Sequence, residues 1–395
     1  MKKKILITSF DLEIGGVERS LIGLLNTIDY TRYDIDLFLY AHDGELMPCI
    51  PPEVNLLAEI SSCSMIKQPI AKALGRAPLV GMARLFSKLV GFLKRKLLNI
   101  SGDMLVQNCR FCLPFWPSFD KEYDLALSFA TPHYFATDRA RSKKTAGWIH
   151  SDYQNCGVDR ALELAMWGRL DVIAAVSDSV KDSFAQVFPE VADKLLVIEN
   201  IISPEFIREQ AEEDVSADMP EIIDETRICS VGRFCHAKNF DSIPEVVVQL
   251  NQLGIRVRWY LIGFGGDEHL IQTKIKEADV ESQVVILGKK TNPYPYIKAC
   301  DIYVQPSRYE GKAVTVREAQ ILGKPVLITN FPTAQSQLGD GVDGHICPLS
   351  VEGVVAGIIL LVEDHTFRNQ IAVTAASRDY SNRTELNEII SLIGQ

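Results

Sequence analysis

No stretch of the chain holds the roughly 18 uncharged apolar residues that a membrane-spanning helix needs. The apolar run behind Lys2, Lys3 and Lys4 stops within about five residues, short of the roughly 7–15 of a secretory signal. The expectation is a cytoplasmic protein, with attachment to a membrane from the inside left open. Cysteine is sparse and unpaired in pattern: nine residues, at 49, 63, 109, 112, 156, 229, 235, 300 and 347, several of them inside apolar runs. That excludes a small disulfide-stapled fold and reads as reduced thiols. Cys109 and Cys112 form a CxxC with no second pair and no nearby His to complete a zinc set, so no metal is assigned there. A G-x-G-x-x-G fingerprint is missing, which disfavours NAD. Positive charge is in deficit, 41 Lys and Arg against 51 Asp and Glu for a net of −10, which argues against a general nucleic-acid coat.

What is present is ordinary globular chemistry. Hydrophobic residues make up 47% and charged residues 23% of 395, enough for a sizeable core and a length that favours two domains. Short apolar runs alternate with segments of helical period, the pattern of parallel βαβ units and an α/β fold. In the first half the runs Ile5–Ser9, Asp36–Tyr40, Leu125–Phe129, Thr145–His150 and Val172–Ser177 read as strands, with a helix over Val17–Ile28. A second series starts at Arg227: strands Ile228–Val231, Val257–Ile262, Val284–Leu287, Ile302–Gln305 and Pro325–Thr329, and helices Asn239–Leu253, Asp267–Ala278 and Val314–Leu322. The acidic, weakly patterned Ala211–Asp224 lies at the junction. The expected division is 1–205, 206–375 and a C-terminal helix at 376–395 that packs back on the first domain.

One segment breaks the acidic trend. Between Cys63 and Lys96 there are eight cations and no Asp or Glu, so the segment carries +8 and the 33 cations and 51 acids elsewhere sum to −18. Leucines, phenylalanines and Met82 alternate with Arg84, Lys88, Lys94, Arg95 and Lys96 at helical spacing, as in helices that lie on anionic membrane. A pair of core-packed helices with a solvated basic face is the competing reading.

Three loops could carry chemistry. Gly15 and Gly16 precede a helix whose first N–H groups suit an anion. Strand Ile228–Val231 runs into Gly232 and Arg233, with Lys238 five residues on, where open α/β sheets bind ligands; an Arg fork and a Lys point charge together suit a diphosphate. The third loop, Pro306–Ala319, is the most specific. It places Glu310 at a strand end, Gly311 in a tight turn and Glu318 one turn inside the next helix, so two carboxylates border one site and can accept paired hydrogen bonds from vicinal hydroxyls. The N–H groups of Lys312, Ala313, Val314 and Thr315 open that helix toward a phosphate. Asp34-Ile35-Asp36 spells the DxD of metal-dependent transferases but begins a strand, and reads as structural.

Over about residues 225–350 these motifs resemble the glycosyltransferase family 4 retaining enzymes of GT-B fold. Ser230–Asn239 is similar to the family's VGR…K loop, Glu310–Glu318 to its E-x7-E motif, and Gly341–Pro348 to its DGxNGxLxxP segment. In the first half Gly15–Ser20, Trp148–Asp152 and Ala175–Asp178 are similar to family positions. The resemblance implies two Rossmann-like parallel-sheet domains facing a central cleft. It makes Arg233 and Lys238 the binders of the leaving diphosphate, Glu318 the ribose carboxylate and Glu310 a contact of the donor-sugar hydroxyls, with Gly232, Gly311, Lys312, Ala313, Val314 and Thr315 around the donor. His150 would touch the donor sugar, although alone such a residue is more often structural, and Gly15 and Gly16 would line the acceptor and phosphate side. The family often has Phe or Leu where Lys312 follows Glu310-Gly311, which leaves the donor open.

The implied activity is transfer of a hexose, with retention, from a nucleotide sugar (UDP-linked is expected) to a lipid-linked or polysaccharide acceptor in capsule, O-antigen or exopolysaccharide synthesis. No metal and no cofactor is expected, and the partners are the donor, the acceptor and an anionic inner membrane surface, with no nucleic acid. Two alternatives stand beside it. One is a nucleotide-sugar epimerase of the same fold, which needs an acid/base pair not visible in the sequence; the other is a catalytically silent membrane scaffold.

Overall fold

Buried apolar runs become parallel strands in this protein because helices cover both faces of each sheet, which removes the need for an exposed polar face. The computed structural model describes residues 2–100, 102–151, 153–155 and 157–394. Asp152 and Cys156, named above, lie outside them. The chain divides into two compact units, Met1–Ile202 with Asn382–Gln395, and Ser203–Ser381.

In the first unit β1 (Lys3–Ser9), β2 (Tyr33–Leu39) and β3 (Asn55–Leu56) are followed by β4 (Glu122–Tyr123), β5 (Leu125–Ser128), β6 (Arg141–Ser142), β7 (Thr145–Ile149), β8 (Val172–Ala175) and β9 (Leu195–Val197). Seven of these form one parallel sheet in the order β3-β2-β1-β5-β7-β8-β9, and β4 pairs separately with β6. The second unit contributes β10 (Thr226–Val231), β11 (Val257–Ile262), β12 (Val284–Gly288), β13 (Ile302–Gln305), β14 (Val326–Thr329) and β15 (His345–Cys347). They form a parallel sheet ordered β12-β11-β10-β13-β14-β15. Strand order reverses between β1 and β5 in one unit and between β10 and β13 in the other, and loops leaving such neighbours diverge and open a crevice at their carboxyl ends.

The second core packs Ile228, Trp259, Leu261 and Val304 of the sheet against Val246, Val247 and Leu250 on one side chain row of the Ile243–Gln252 helix. Each such side chain contributes about 1.5–3 kcal/mol by leaving water. Trp259 Nε1 donates to Ser230 Oγ at 2.8 Å and that hydroxyl donates to Val304 O at 2.5 Å, so the two polar groups inside the sheet are satisfied.

Several expectations change on contact with the structure. The helix expected from Asn239 starts at Ile243, because Asn239 adopts a left-handed φ of 59° while its side chain donates to Pro306 O at 2.9 Å; Asn tolerates that conformation better than other side chains. Strands β3, β9 and β15, of two or three residues each, are too short to show a period in sequence. In the DxD, Asp34 is exposed beside Lys2, while Asp36 is buried and takes hydrogen bonds from Lys121 Nζ (2.6 Å), Tyr123 OH (2.6 Å) and Asn55 Nδ2 (2.8 Å). Burial alone would raise the Asp36 carboxyl, but these three donors outweigh it and hold its pKa below the ordinary value. Cys109 and Cys112 are buried free thiols, and burial pushes Cys112 up to about 12.

The basic segment forms helices Ser61–Ser64, Ile70–Arg76 and Pro78–Leu98. Two of the five cations expected to face a membrane turn inward instead. Arg84 is buried, donating through Nη1 to Met65 O (2.6 Å) and Gln68 O (2.5 Å), and Lys94 pairs with buried Asp159. Both find fixed oxygens within the first unit, which a solvated or lipid-facing cation would forgo. Among the described residues no helix is long and apolar enough to cross a membrane.

Candidate functional site

At the carboxyl end of β10 the backbone makes a close crossing. A Cβ on Gly263, whose φ is +147°, would sit 1.8 Å from Gly232 O, so glycine is required where the two neighbouring strands end. Gly232 itself packs under the Lys238 stem, with a Cβ there 3.1 Å from Lys238 Cε. Arg233, next in the chain, is exposed and among the described residues has no carboxylate partner. A turn over His236–Lys238 then brings Lys238 back over the strand end.

This loop is clipped to the one that follows β13. Arg308 N donates to Ala237 O at 2.7 Å, and its guanidinium bonds His236 O (2.7 Å) and both Asp241 oxygens (2.9 and 3.1 Å). Burial opposes ionisation of Asp241, but Arg308 and Lys274 overcome it and hold the carboxyl at about 2. The clip delivers Lys238 Nζ to Glu310 Oε1 at 2.6 Å, with both side chains mostly shielded from solvent. The two residues assigned above to diphosphate and sugar therefore meet in one ion pair.

Glu310 is aimed by a chain of hydrogen bonds that starts inside the sheet. Tyr303 OH donates to Gln305 Oε1 (2.8 Å), Gln305 Nε2 donates to Ser307 Oγ (3.0 Å), and Ser307 Oγ donates to Glu310 Oε1 (2.5 Å). Thr315 Oγ1 also donates to Gln305 Oε1 at 3.3 Å, and Thr333 Oγ1 holds Glu310 O at 2.9 Å. Oε1 thus carries two donors, while Oε2 has no partner among the described residues. A carboxylate with one oxygen fixed and one open is suited to a ligand hydroxyl. Sequence reasoning missed Ser307 and Gln305 as participants, although a glutamine closing an otherwise apolar buried strand was a usable signal.

Glu318 is buried on the Val314–Ile321 helix and accepts from Tyr294 OH at 3.2 Å. The helix starts without a side-chain cap, and Val314 and Thr315 in its first turn are half-buried. One of the four N–H groups expected to face a phosphate is taken: Ala313 N donates to Gln337 Oε1 at 2.8 Å, and Gln337 Nε2 returns to Ala313 O at 3.2 Å. Nothing in the sequence pointed to a partner 24 positions away. Gly311 and Lys312 are half-buried between Glu310 and this helix.

In the first unit Gly15 is extended and a Cβ there would lie 2.1 Å from the Glu18 carboxylate, whereas Gly16 faces open space. Glu18 complements the dipole of the Gly16–Leu25 helix and puts negative charge where an anion was expected. His150, at the end of β7, lies in a cavity of about 240 Å³ with Thr131, Tyr153 and Glu163 among its walls. Its Nε2 must donate to Phe129 O at 2.9 Å, because a carbonyl only accepts, which leaves Nδ1 as the acceptor of the neutral ring. Burial lowers His150 to about 4 despite that bond, and burial raises Glu163 to about 7 against the Tyr153 hydrogen bond. Buried His133 is pushed down to about 3 by burial and, less, by His150. Among the described residues no three His, Cys, Asp or Glu side chains gather as a metal ion would require.

Comparison with known proteins bears on these loops. The family model described as "Glycosyl transferases group 1" matches residues 213–378, which contain Arg233, Lys238, Glu310 and Glu318. The chain is 26% identical over 165 residues to the lipopolysaccharide core biosynthesis glycosyltransferase LpsE of Rhizobium meliloti, covering 42% of this chain and 46% of that protein. It is 24% identical over 226 residues to a Campylobacter jejuni enzyme, N-acetylgalactosamine-N,N'-diacetylbacillosaminyl-diphospho-undecaprenol 4-alpha-N-acetylgalactosaminyltransferase, covering 57% of this chain and 60% of that one. The chain therefore spans about half the length of these curated relatives. The crystal structure of Anabaena HepE in complex with UDP and glucose superposes with a TM-score of 0.69 at 19% identity, over 100% of both chains. The fold is that of the GT-B glycosyltransferases.

Proposed function

We propose that the protein is a retaining hexosyltransferase that moves a hexose from a UDP-sugar to a saccharide or lipid-linked acceptor in cell-surface polysaccharide synthesis, without a metal, at the inner face of a membrane. The observation that carries the reading is the Lys238–Glu310 pair, oriented from within the sheet by Ser307 and Gln305, with the exposed Arg233 in the same loop as Lys238. Relatives named for glycosyl transfer in lipopolysaccharide and undecaprenol-linked synthesis support the acceptor class, and HepE with UDP and glucose supports the donor class.

In this reading the bond between the anomeric carbon and the β-phosphate oxygen breaks, the electron pair stays with the diphosphate, and Arg233 and Lys238 stabilise the charge that develops there. Glu310 Oε2 accepts from a donor-sugar hydroxyl, and Glu318 takes the ribose. The acceptor hydroxyl attacks the face from which the diphosphate leaves and its proton passes to the departing phosphate, so retention needs no enzyme nucleophile. Acceptor recognition falls to the first unit, where the His150 cavity offers neutral polar groups.

Incubation with a panel of nucleotide sugars, with and without a membrane extract, tests the reading. Release of UDP from a UDP-hexose, accelerated by the extract, is the expected result. A chain that releases no nucleoside diphosphate from any donor is not a transferase of this kind.

A further inference from the structure

The Pro78–Leu98 helix has its polarity reversed relative to a helix packed on a water-soluble core. Its inner face is mostly small and polar: Gly81, Arg84 and Ser87 are buried there beside a single apolar residue, Val80. A Cβ on Gly81 would lie 2.7 Å from Leu74 N and one on Gly91 3.0 Å from Gln107 Nε2, so the helix is pressed closely onto its neighbours Ile70–Arg76 and Met104–Cys112. Hydrogen bonds cross this face: Gln107 to the Ser87 carbonyl and hydroxyl, Arg84 to two carbonyls, Lys94 to Asp159.

The outer face is apolar. Met82, Leu85, Phe86, Leu89, Phe92 and Leu93 follow one stripe at helical spacing and are each 42–61% exposed, and Phe111 extends the stripe by an edge contact with Phe86 at 5.4 Å. Contiguous exposed apolar surface of this kind marks an interaction site rather than a random surface. Lys88, Arg95 and Lys96 border it, are exposed, and have no acidic partner among the described residues.

We propose that this face docks on an anionic lipid monolayer, the six apolar side chains entering the boundary between headgroups and acyl chains and the three cations meeting lipid phosphates. Charge decides against a second copy as the occupant. Lys88, Arg95 and Lys96 border the face without an acidic partner among the described residues, and residues 63–96 hold no Asp or Glu, so two such faces brought together would oppose like charges. Anionic headgroups supply the missing charge, and the acidic remainder of the chain disfavours docking by any other face. The inward turn of Arg84 and Lys94 follows from the same design: they fasten the helix to the unit and leave its apolar side free. The inference deepens the membrane element of the proposed function and rests on it for the choice of leaflet.

Flotation of the full chain with vesicles of phosphatidylcholine alone, or containing about 30% phosphatidylglycerol, is the test. The chain should float with the anionic vesicles. A Phe86→Ser/Phe92→Ser variant should partition about tenfold or more less strongly with its melting temperature unchanged, since both rings are exposed. A Lys88→Gln/Arg95→Gln/Lys96→Gln variant should lose about tenfold on anionic vesicles and no longer distinguish the two compositions. The proposal is overturned if the unmodified chain floats with neither vesicle, if the phenylalanine variant floats as well as the parent, or if lipid-free sedimentation shows a dimer that the phenylalanine variant dissociates. UDP release by the unmodified chain in lipid-free buffer separates the two readings. Release without flotation overturns the docking surface alone, and flotation without release overturns the transferase alone.

Discussion

The two sheets share a topology and differ in what they do with charge. At the β10/β13 crevice the charged groups are paired: Lys238 with Glu310, and Asp241, whose carboxyl Arg308 and Lys274 hold ionised, with both of those cations, while Arg233 is exposed. Around β7 burial wins. His150 is held neutral down to about pH 4, and Glu163 keeps its proton up to about 7. A pole that preserves charge suits an anion such as a diphosphate, and one that suppresses it suits a neutral hydroxyl-rich ligand. The difference lies in loops at equivalent strand ends, and each prediction below disturbs one side of it.

The largest expected effect is on the charged pole. Lys238→Ala and Arg233→Ala should each lower kcat/KM for the donor by about 10²–10³, the range for removing a group that stabilises developing charge. They should part company in stability. Arg233→Ala leaves the melting temperature where it was, because the exposed side chain has no carboxylate partner among the described residues, while Lys238→Ala strands Glu310 without its counter-charge and lowers it. Initial rates of UDP release and thermal melts on the two variants check this, and wild-type rates in both would remove the charged pole from the chemistry.

A second arginine sharpens the contrast between fastening and function. Arg84→Ala leaves Met65 O and Gln68 O without their buried donor and should cost about 3 kcal/mol in denaturant unfolding. Arg84 was expected on the surface from its place in a basic run, and a loss under about 0.5 kcal/mol, the range of ordinary surface substitutions, would return it there.

The neutral pole should show itself in pH dependence. For Glu163 the folded value of about 7 lies above the ordinary 4.5, so its stabilising contribution is complete below pH 4.5 and is lost as pH rises to 7. His150 and His133, lowered from 6.5, act oppositely: their contribution is complete above pH 6.5 and is lost as pH falls toward about 4 and about 3. Glu163→Gln removes only the first trend. The stability of that variant relative to the parent should therefore climb between pH 4.5 and 7, by up to about 3 kcal/mol. Urea unfolding at the two pH values reads it directly, and a difference independent of pH would mean that Glu163 is ionised in the folded protein.

Strands and loop chemistry were legible where the chain repeats a pattern or spends rare residues. Runs such as Val257–Ile262 are buried on both faces and announce themselves by continuous apolarity, and Gly232-Arg233 and Glu310-Gly311 stand out by type and place. Pairings across long separations were not legible. Nothing local links Gln337 to Ala313, Asp241 to Arg308 or Asp159 to Lys94, because such contacts depend on how loops close rather than on any period. The Pro78–Leu98 helix shows the limit most clearly: its periodicity was evident, but which face looked inward was not, since an apolar stripe is equally the signature of a core helix.

The smallest expected effect tests whether the charged pole is aimed from inside the sheet. Ser307 is fully buried, accepts from Gln305 Nε2 and donates to Glu310 Oε1, so its hydroxyl links the buried strand to that carboxylate oxygen. Ser307→Ala leaves Lys238 in place, so Glu310 keeps its counter-charge but loses one of the two donors that fix Oε1. Misalignment of a group that contacts substrate slows the chemical step more than it weakens donor binding. The expected result is a fall in kcat of about tenfold with KM for the donor changed by less than about twofold. A rise in KM at unchanged kcat would instead make Ser307 part of the binding surface, and would move the orientation of Glu310 from the sheet to the ion pair with Lys238.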